Sequence, residues 1–149
     1  MKQNKKPQKQ EKKDDRPKVL LTVGKRKRAV ARARFRPGKG VIRLNNLPLD
    51  MVENEMFRLR LQEPLMIAGD SWKSFDVRVK VKGGGTTGQI DAARQAIARG
   101  LVELVGGDLR QKYMAIDRNL LVFDPRRTEP HKPPRSSQGP RRYKQRSKR

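Results

Sequence analysis

The stretch KVKGGGTTGQIDAARQAIARGLVELV, residues 80–105, constrains the fold more than any other part of the sequence. Before its glycines, residues 75–82 alternate apolar and charged side chains, which predicts a strand with one apolar face and one mostly cationic face. After them, spacings of three and four predict a helix whose apolar stripe is Ile90, Ala93, Ile97, Leu101 and Leu104. Any fold of this chain must therefore turn a strand into a helix within a few residues.

Three consecutive glycines, Gly83, Gly84 and Gly85, have two compatible interpretations. They form a tight turn that needs positive φ. They also leave room for an RNA phosphate to approach the backbone beside the free N–H groups of a helix N-terminus. The stretch is not a P-loop, because no Lys-Ser/Thr follows Gly88. Thr86 with Gln89 predicts a capping box, and Gly106-Gly107 predicts the end of the helix.

Charge defines the class of partner. The chain has 149 residues, a net charge of +23 and a pI of about 11.3. Such a surface repels itself unless a polyanion neutralises it, so nucleic acid is the expected partner. No apolar run long enough to span a membrane and no basic amphipathic helix appears, so no membrane partner is expected. The absence of cysteine and of an apolar leader favours the cytosol.

The charge divides the chain into three parts. Residues 1–17 carry a net +4 and lack large apolar side chains beyond Met1, so we expect a disordered basic N-terminal extension. Residues 18–124 carry +10 and nearly all the large apolar residues, which predicts one globular domain. Residues 125–149 carry +9 and contain five prolines, which predicts an extended basic tail that orders on RNA rather than a solubilising appendage.

Two basic segments lie near the start of the domain. Val19, Leu21 and Val23 predict a first strand ending at Gly24, and Lys25 to Arg28 are either a solvated face or phosphate ligands. From residue 29 to 36, alternating alanines and arginines predict a strand with arginines about 7 Å apart on one face, close to the phosphate spacing of a nucleic-acid strand. The turn at 37–40 predicts a hairpin with residues 41–44.

The rest of the domain is expected to be mainly helical. Pro64 predicts two short helices within residues 50–69, with a core contribution from Met51, Phe57, Leu61, Leu65 and Met66. Trp72 is expected to seal the core edge rather than stack on a base. Asp108 predicts the cap of a last helix ending near Ile116, and residues 120–123 predict an apolar anchor.

Catalytic chemistry is not visible in the sequence. His131 is the single histidine, and the acids show no paired or metal-ligand spacing, so no cofactor, metal or enzymatic activity is expected. Asp91 is explained by the dipole of the long helix.

Four segments carry a family resemblance: Gly24-Lys25-Arg26-Lys27 with Ala29-Val30-Ala31-Arg32, then Glu63-Pro64-Leu65, then GGGTTGQIDAARQAIARGL at 83–101, and RRTEPHKP at 126–133. In that order they resemble the universal small-subunit ribosomal protein S9 family over about residues 18–149. The RRTEPHKP form is similar to the archaeal and eukaryotic branch.

The resemblance implies an α+β domain like the second domain of ribosomal protein S5, with a four-stranded sheet packed against helices and a long extended basic C-terminal tail. It implies a structural component of the head of the small ribosomal subunit, bound to 16S rRNA and next to other head proteins. It also implies that the tail runs through rRNA to the P-site tRNA and touches the anticodon stem-loop.

We therefore expect two sets of RNA-binding residues. The first set is expected to bind rRNA: the cations of the domain neutralise phosphates, the glycines let RNA approach the backbone, and the tail residues follow from the family resemblance. Its members are Lys25, Arg26, Lys27, Arg28, Arg32, Arg34, Arg36, Gly83, Gly84, Gly85, Arg126, Arg127, His131, Lys132, Arg135, Arg141, Arg142, Tyr143 and Lys144. Tyr143 is the residue expected to stack on a base. The resemblance predicts a tRNA-binding tip of Arg146, Lys148 and Arg149.

Three other functions fit parts of the sequence. The protein subunit of ribonuclease P resembles the same fold and would co-purify with a processing RNA. A DNA-compacting protein would bind duplex DNA as well as rRNA. A small phosphotransferase is disfavoured, because neither a phosphate-binding lysine nor metal-binding acids follow the glycines.

Overall fold

A mixed five-stranded sheet with helices on one face forms the domain in the computed structural model, which describes residues 19–127. The strands are β1 (Leu20–Arg26), β2 (Ala29–Pro37), β3 (Ile42–Leu44), β4 (Leu47–Pro48) and β5 (Phe75–Lys82). The helices are α1 (Glu55–Ala68), α2 (Thr86–Val105) and α3 (Gly107–Ile116), with 3₁₀ turns at Leu49–Met51, Gly69–Ser74 and Arg118–Leu120. The α+β class is confirmed, and a two-residue β4 makes the sheet five-stranded instead of four-stranded.

The predicted hairpin between residues 29–36 and 41–44 is wrong. The strand order is β1-β2-β5-β3-β4, so β5 lies between the two expected partners. It pairs antiparallel with residues 30–37 of β2 and parallel with β3. An eight-residue strand with a buried valine row offers β2 a much longer ladder than the three residues of β3. The loop after β2 instead wraps the start of β5, where the Asp76 carboxylate accepts hydrogen bonds from the backbone N–H of Lys39 and Val41.

The first strand is confirmed, but it continues to Arg26 and turns its large apolar residues outward. Leu21 and Val23 are exposed, whereas Thr22 and Gly24 face α2. The Thr22 Oγ1 hydroxyl donates to the Ala96 carbonyl at 2.7 Å. A Cβ on Gly24 would lie 2.0 Å from the Ala92 carbonyl oxygen. The helix approaches β1 so closely that only small side chains fit between them.

Helix α1 is continuous, so the predicted break at Pro64 is wrong. Leu61 and Leu65 are buried as predicted and Phe57 packs partly buried against the core. Pro64 itself is fully buried, and its carbonyl accepts the Tyr113 hydroxyl at 2.6 Å. A proline costs a helix interior about 3 kcal/mol, and burying the flanking leucines contributes about 1.5–3 kcal/mol each, which is enough to keep the helix whole.

Two predicted core methionines also fail. Met51 is 68% exposed and Met66 is 69% exposed, because both lie on the outer side of their elements. Trp72 is confirmed as a partly buried residue at the core edge, and Leu120 is fully buried as the apolar anchor.

The stripe of α2 is confirmed, since Ile90, Ala93, Ile97 and Leu101 are buried. Its predicted capping box is wrong: Gly85 is the N-cap residue, and the Gln89 side-chain amide donates to the Gly83 carbonyl at 3.2 Å. Gly106 ends α2 at a φ of 114°, as predicted. Helix α3 starts at Gly107, and Asp108 lies in its first turn without making the expected cap bond.

The contact between β1 and α2 gives the first prediction. Gly24→Ala should lower the free energy of unfolding by about 1–3 kcal/mol, because the added methyl meets helix backbone that has to move. Urea unfolding followed by circular dichroism measures this. Gly107→Ala is the matched control: its Cβ meets no atom within 4 Å, and alanine favours a helix, so stability should stay constant or rise. Equal losses in the two variants would contradict a close contact at Gly24.

Candidate nucleic-acid interface

The face of the sheet opposite α2 carries a group of exposed cations. Alternation along each strand places Thr22 and Gly24 of β1 and the small and apolar rows of β2 and β5 under α2, and their neighbours on the other side. We call this second side the cationic face. Its basic residues come from four strands and are Lys25, Arg32, Arg34, Arg36, Arg43, Arg78, Lys80 and Lys82.

The strand register places cations directly opposite one another. Arg34 pairs with Arg78, and Arg78 pairs in turn with Arg43, so three guanidinium side chains follow each other across β2, β5 and β3. Arg32 pairs with Lys80 in the same way. Cross-strand partners have Cβ atoms about 4.5–5.5 Å apart, and like charges at that separation destabilise a sheet. Among the described residues, none of the eight cations forms an ion pair.

A shallow depression lies within the cationic face. Its volume is about 230 Å³, and its basic lining consists of Arg34, Arg36, Arg43 and Arg78. Asp76 is the single acid in the lining. The backbone N–H groups of Val41 and Lys39 donate to its carboxylate and hold its pKa below the usual value. The depression therefore offers several guanidinium groups to an anion while its one carboxylate is already bound to backbone.

The four cations Lys25 to Arg28 do not act as one cluster. Lys25 lies on the cationic face, and Lys27 and Arg28 form the exposed turn between β1 and β2, with Lys27 at a φ of 51°. Arg26 lies on the α2 side of β1, where it forms an ion pair with Asp124. Its Nε atom is 3.9 Å from the Asp91 carboxylate. Three of the four therefore face solvent, and the fourth is bound within the protein.

The glycine turn is confirmed. Gly83 and Gly84 have φ values of 78° and 67°, which favour glycine. A Cβ on Gly83 would lie 2.8 Å from the Arg28 carbonyl oxygen, and one on Gly84 would lie 2.9 Å from the Ala29 nitrogen. The glycines therefore bring the N-terminus of α2 against the basic turn between β1 and β2. Backbone contact with RNA at these exposed residues stays a prediction.

The acids of the domain lie mainly on the helical side. Asp91 is beyond the first turn of α2, so its explanation by the helix dipole is wrong; it accepts a hydrogen bond from Arg60 at 3.0 Å. Arg94 joins Glu63 and Asp117 at 2.5 and 2.9 Å. These ion pairs lie on the helical side, and within residues 19–127 none of them involves a cation of the cationic face. No group of three metal-ligating side chains occurs within residues 19–127.

The first residues of the predicted tail contact the end of the domain. Arg126 pairs with Asp124 at 3.0 Å, and the Arg127 guanidinium lies 5.2 Å from the centre of the Phe123 ring. The N-terminal extension 1–17 and the other predicted tail residues lie outside the described residues, namely His131, Lys132, Arg135, Arg141, Arg142, Tyr143, Lys144, Arg146, Lys148 and Arg149.

Sequence reasoning missed half of the cationic face. Arg43, Arg78, Lys80 and Lys82 were not among the predicted site residues, although the alternation of residues 75–82 already indicated a cationic row. The missing information was the strand order, which puts β5 beside the arginines of β2. Among the helices of the described part, none has both the length and the apolar character needed to cross a bilayer.

Comparison with known proteins agrees with the motifs. A profile of the family described as Ribosomal protein S9/S16 matches residues 24–149. Small ribosomal subunit protein uS9 of Methanococcus maripaludis is 48% identical over 131 residues, covering 87% of this chain and 98% of the relative. Its namesake in Methanococcus vannielii is 49% identical with the same coverage. The Aeropyrum pernix relative is 47% identical and covers 76% of this chain and 87% of its own length.

These matches confirm the resemblance and the expectations that depend on membership alone. Membership implies a protein of the small ribosomal subunit in the cytoplasm. Such a protein takes part in translation within a ribonucleoprotein, and its role is structural rather than enzymatic. The chain belongs to the ribosomal protein S9/S16 family.

Proposed function

We propose that this protein is a structural constituent of the head of the small ribosomal subunit, where its cationic face binds 16S rRNA and residues 125–149 extend to the anticodon stem-loop of the P-site tRNA. In this proposal the chain consists of an extension (1–17), a domain (18–124) and a tail (125–149). The domain is arranged like the second domain of ribosomal protein S5 and contacts neighbouring proteins of the head. Family membership and the cationic face support it.

The cationic face is the observation that carries the proposal. Its side chains recur about 7 Å apart along β2 and β5, and neighbouring strands lie about 4.8 Å apart, so the face presents a two-dimensional array of positive charge. Phosphate groups that enter this array replace cation–cation repulsion with charge-assisted hydrogen bonds and release counterions. Binding to a polyanion thus relieves a repulsion built into the sheet.

A binding role fits the remaining side chains better than catalysis does. Four acids around α2, Glu63, Asp91, Asp117 and Asp124, are engaged in ion pairs with Arg26, Arg60 and Arg94. The glycine turn is used to pack α2 against the turn between β1 and β2. Neither group is free to act on a substrate. Compaction of duplex DNA relies on the same electrostatics and is separated from rRNA binding by the second experiment below.

The repulsion itself can be measured in the free protein. Arg78→Gln removes the charge between Arg34 and Arg43, so the free energy of unfolding should rise by about 0.2–1 kcal/mol at low ionic strength. The gain should disappear near 1 M salt, where the Debye length is about 3 Å. Urea unfolding at the two ionic strengths tests this. Arg110→Gln, an exposed change on α3, should show no such gain, and a loss of stability in Arg78→Gln at low salt would contradict the proposed repulsion.

Binding to rRNA should depend steeply on salt. We expect the double variant Arg34→Gln/Arg78→Gln to reduce the slope of log K against log salt by about 1.4–1.8, the contribution of two phosphate contacts. Filter binding to a transcript of the 16S rRNA head domain, between 50 and 200 mM salt, measures the slope. Arg110→Gln should leave it unchanged. An equal reduction by the control, or equally tight binding to duplex DNA, would argue against a specific rRNA face.

The tail is tested by truncation. Removing residues 125–149 should leave the domain folded, because its core ends at Leu120 and the acid at Asp124 is retained. Small subunits reconstituted with the truncated chain should lose P-site tRNA faster than subunits with the full chain. Removing residues 1–17 is the control. Subunits that hold tRNA equally well after the truncation would show that the tail does not contact it.

A further inference from the structure

The residues that follow the core form a segment held along the outer edge of β1. We call residues 121–126 the exit segment, because the chain leaves the domain through it after the fully buried Leu120. Strand β1 is the edge of the sheet, so alternate backbone groups on its outer side have no ladder partner. The exit segment does not pair with β1 as a strand. Side chains from α2 lie between the two and bind both.

Gln95 is the first bridging side chain. Its Oε1 atom accepts the Lys25 backbone N–H at 2.9 Å, and its Nε2 atom donates to the Val122 carbonyl at 2.9 Å. Gln95 is only 4% exposed, so its Nε2 group would lose its hydrogen-bond partner at a nearly buried position if the exit segment moved away.

Arg99 repeats this bridge one helical turn later. Its Nε atom donates to the Leu121 carbonyl and its Nη1 atom to the Val23 carbonyl, both at 2.9 Å. Gln95 and Arg99 are four residues apart and therefore lie on the same face of α2. Together they replace a missing strand ladder with side-chain bonds.

Arg26 completes the contact at the end of β1. It forms an ion pair with Asp124, which is only 8% exposed. The same carboxylate accepts hydrogen bonds from the backbone N–H and the Nε atom of Arg126 at 2.9 and 3.2 Å. Asp124 therefore connects β1 to the point where the chain turns away from the domain. Loss of Arg26 would leave this nearly buried carboxylate paired with Arg126, whose side chain is largely exposed, and incomplete pairing of a buried charge is costly.

We propose that Arg26, Gln95 and Arg99 form a clamp that fixes the direction in which the C-terminal chain leaves the domain. Arg26 is then a positioning residue for the tail and not a ligand for RNA phosphate, unlike its neighbours Lys27 and Arg28. This inference rests on the proposed function, because a fixed exit matters only if the tail has a defined destination. A clamp at its base would reduce the conformational entropy that the tail loses when it binds.

The first test measures the exit segment in the free full-length protein. The chain contains no cysteine, so Glu103→Cys and Arg127→Cys introduce two exposed sites for spin labels. Pulsed electron paramagnetic resonance should show one narrow distance distribution. Arg26→Gln or Asp124→Asn should broaden it, since loss of a charge-assisted hydrogen bond raises the detached population by about 10- to 100-fold. Arg28→Gln should leave the distribution narrow.

The second test separates positioning from RNA binding. Arg26→Gln should leave the salt slope of rRNA binding unchanged, whereas Arg28→Gln should lower it by about 0.7–0.9. Circular dichroism of each variant checks that the domain is folded, and Asp124→Asn breaks the same pair while keeping Arg26. A distribution that stays narrow in both Arg26→Gln and Asp124→Asn would overturn the clamp. A slope reduced equally by Arg26→Gln and Arg28→Gln would make Arg26 a phosphate ligand and would also overturn it.

Failure of the clamp and failure of the proposed function give different results. If rRNA binding did not depend on Arg34 and Arg78, the proposed interface would be wrong, yet the distance distribution of the free protein would still report on the clamp. If the distribution were insensitive to Arg26 while the Arg34/Arg78 variant bound rRNA weakly, the interface would stand without the clamp.

Discussion

The close contact between α2 and β1 determines how the rest of the domain is arranged. Thr22 and Gly24 on the strand meet Ala92 and Ala96 on the helix, and no larger side chain fits between them. At this short distance, the next residues around the helix reach past the edge of the sheet. Gln95 therefore binds both β1 and the exit segment. The small residues Thr22 and Gly24 thus allow the close approach at which Gln95 contacts both segments.

The same contact separates the charges of the domain into two groups. On the helical side, cations such as Arg26 and Arg94 are matched by carboxylates and serve the fold. On the opposite side, the arginines of β2, β3 and β5 lie beside one another, and Asp76 is the one described acid that lines the depression between them. Net charge alone does not distinguish these groups. The face that a side chain occupies decides whether it stabilises the protein or remains available to a polyanion.

Much of the domain was predictable because it depends on local periodicity. The alternation at 29–36 and 75–82 predicted strands with a cationic face, and the stripe from Ile90 to Leu101 predicted α2. The positive φ values of Gly83 and Gly84 followed from the abrupt change of period. The break at Pro64, the core roles of Met51 and Met66, and the cap at Thr86 failed, because burial and backbone geometry outweighed local preference at those positions.

By itself, the sequence determined a basic domain with a proline-rich basic tail and the motifs of its family, since composition, period and motif are properties of neighbouring residues. Strand order required the tertiary structure: β5 displaces the expected partner of β2 because pairing depends on distant segments competing for the same edge. The separation of Arg26 from Lys25, Lys27 and Arg28 also required it. Four consecutive cations look alike in a sequence, but successive side chains of a strand point to opposite faces, and only one of those faces lies against Asp124.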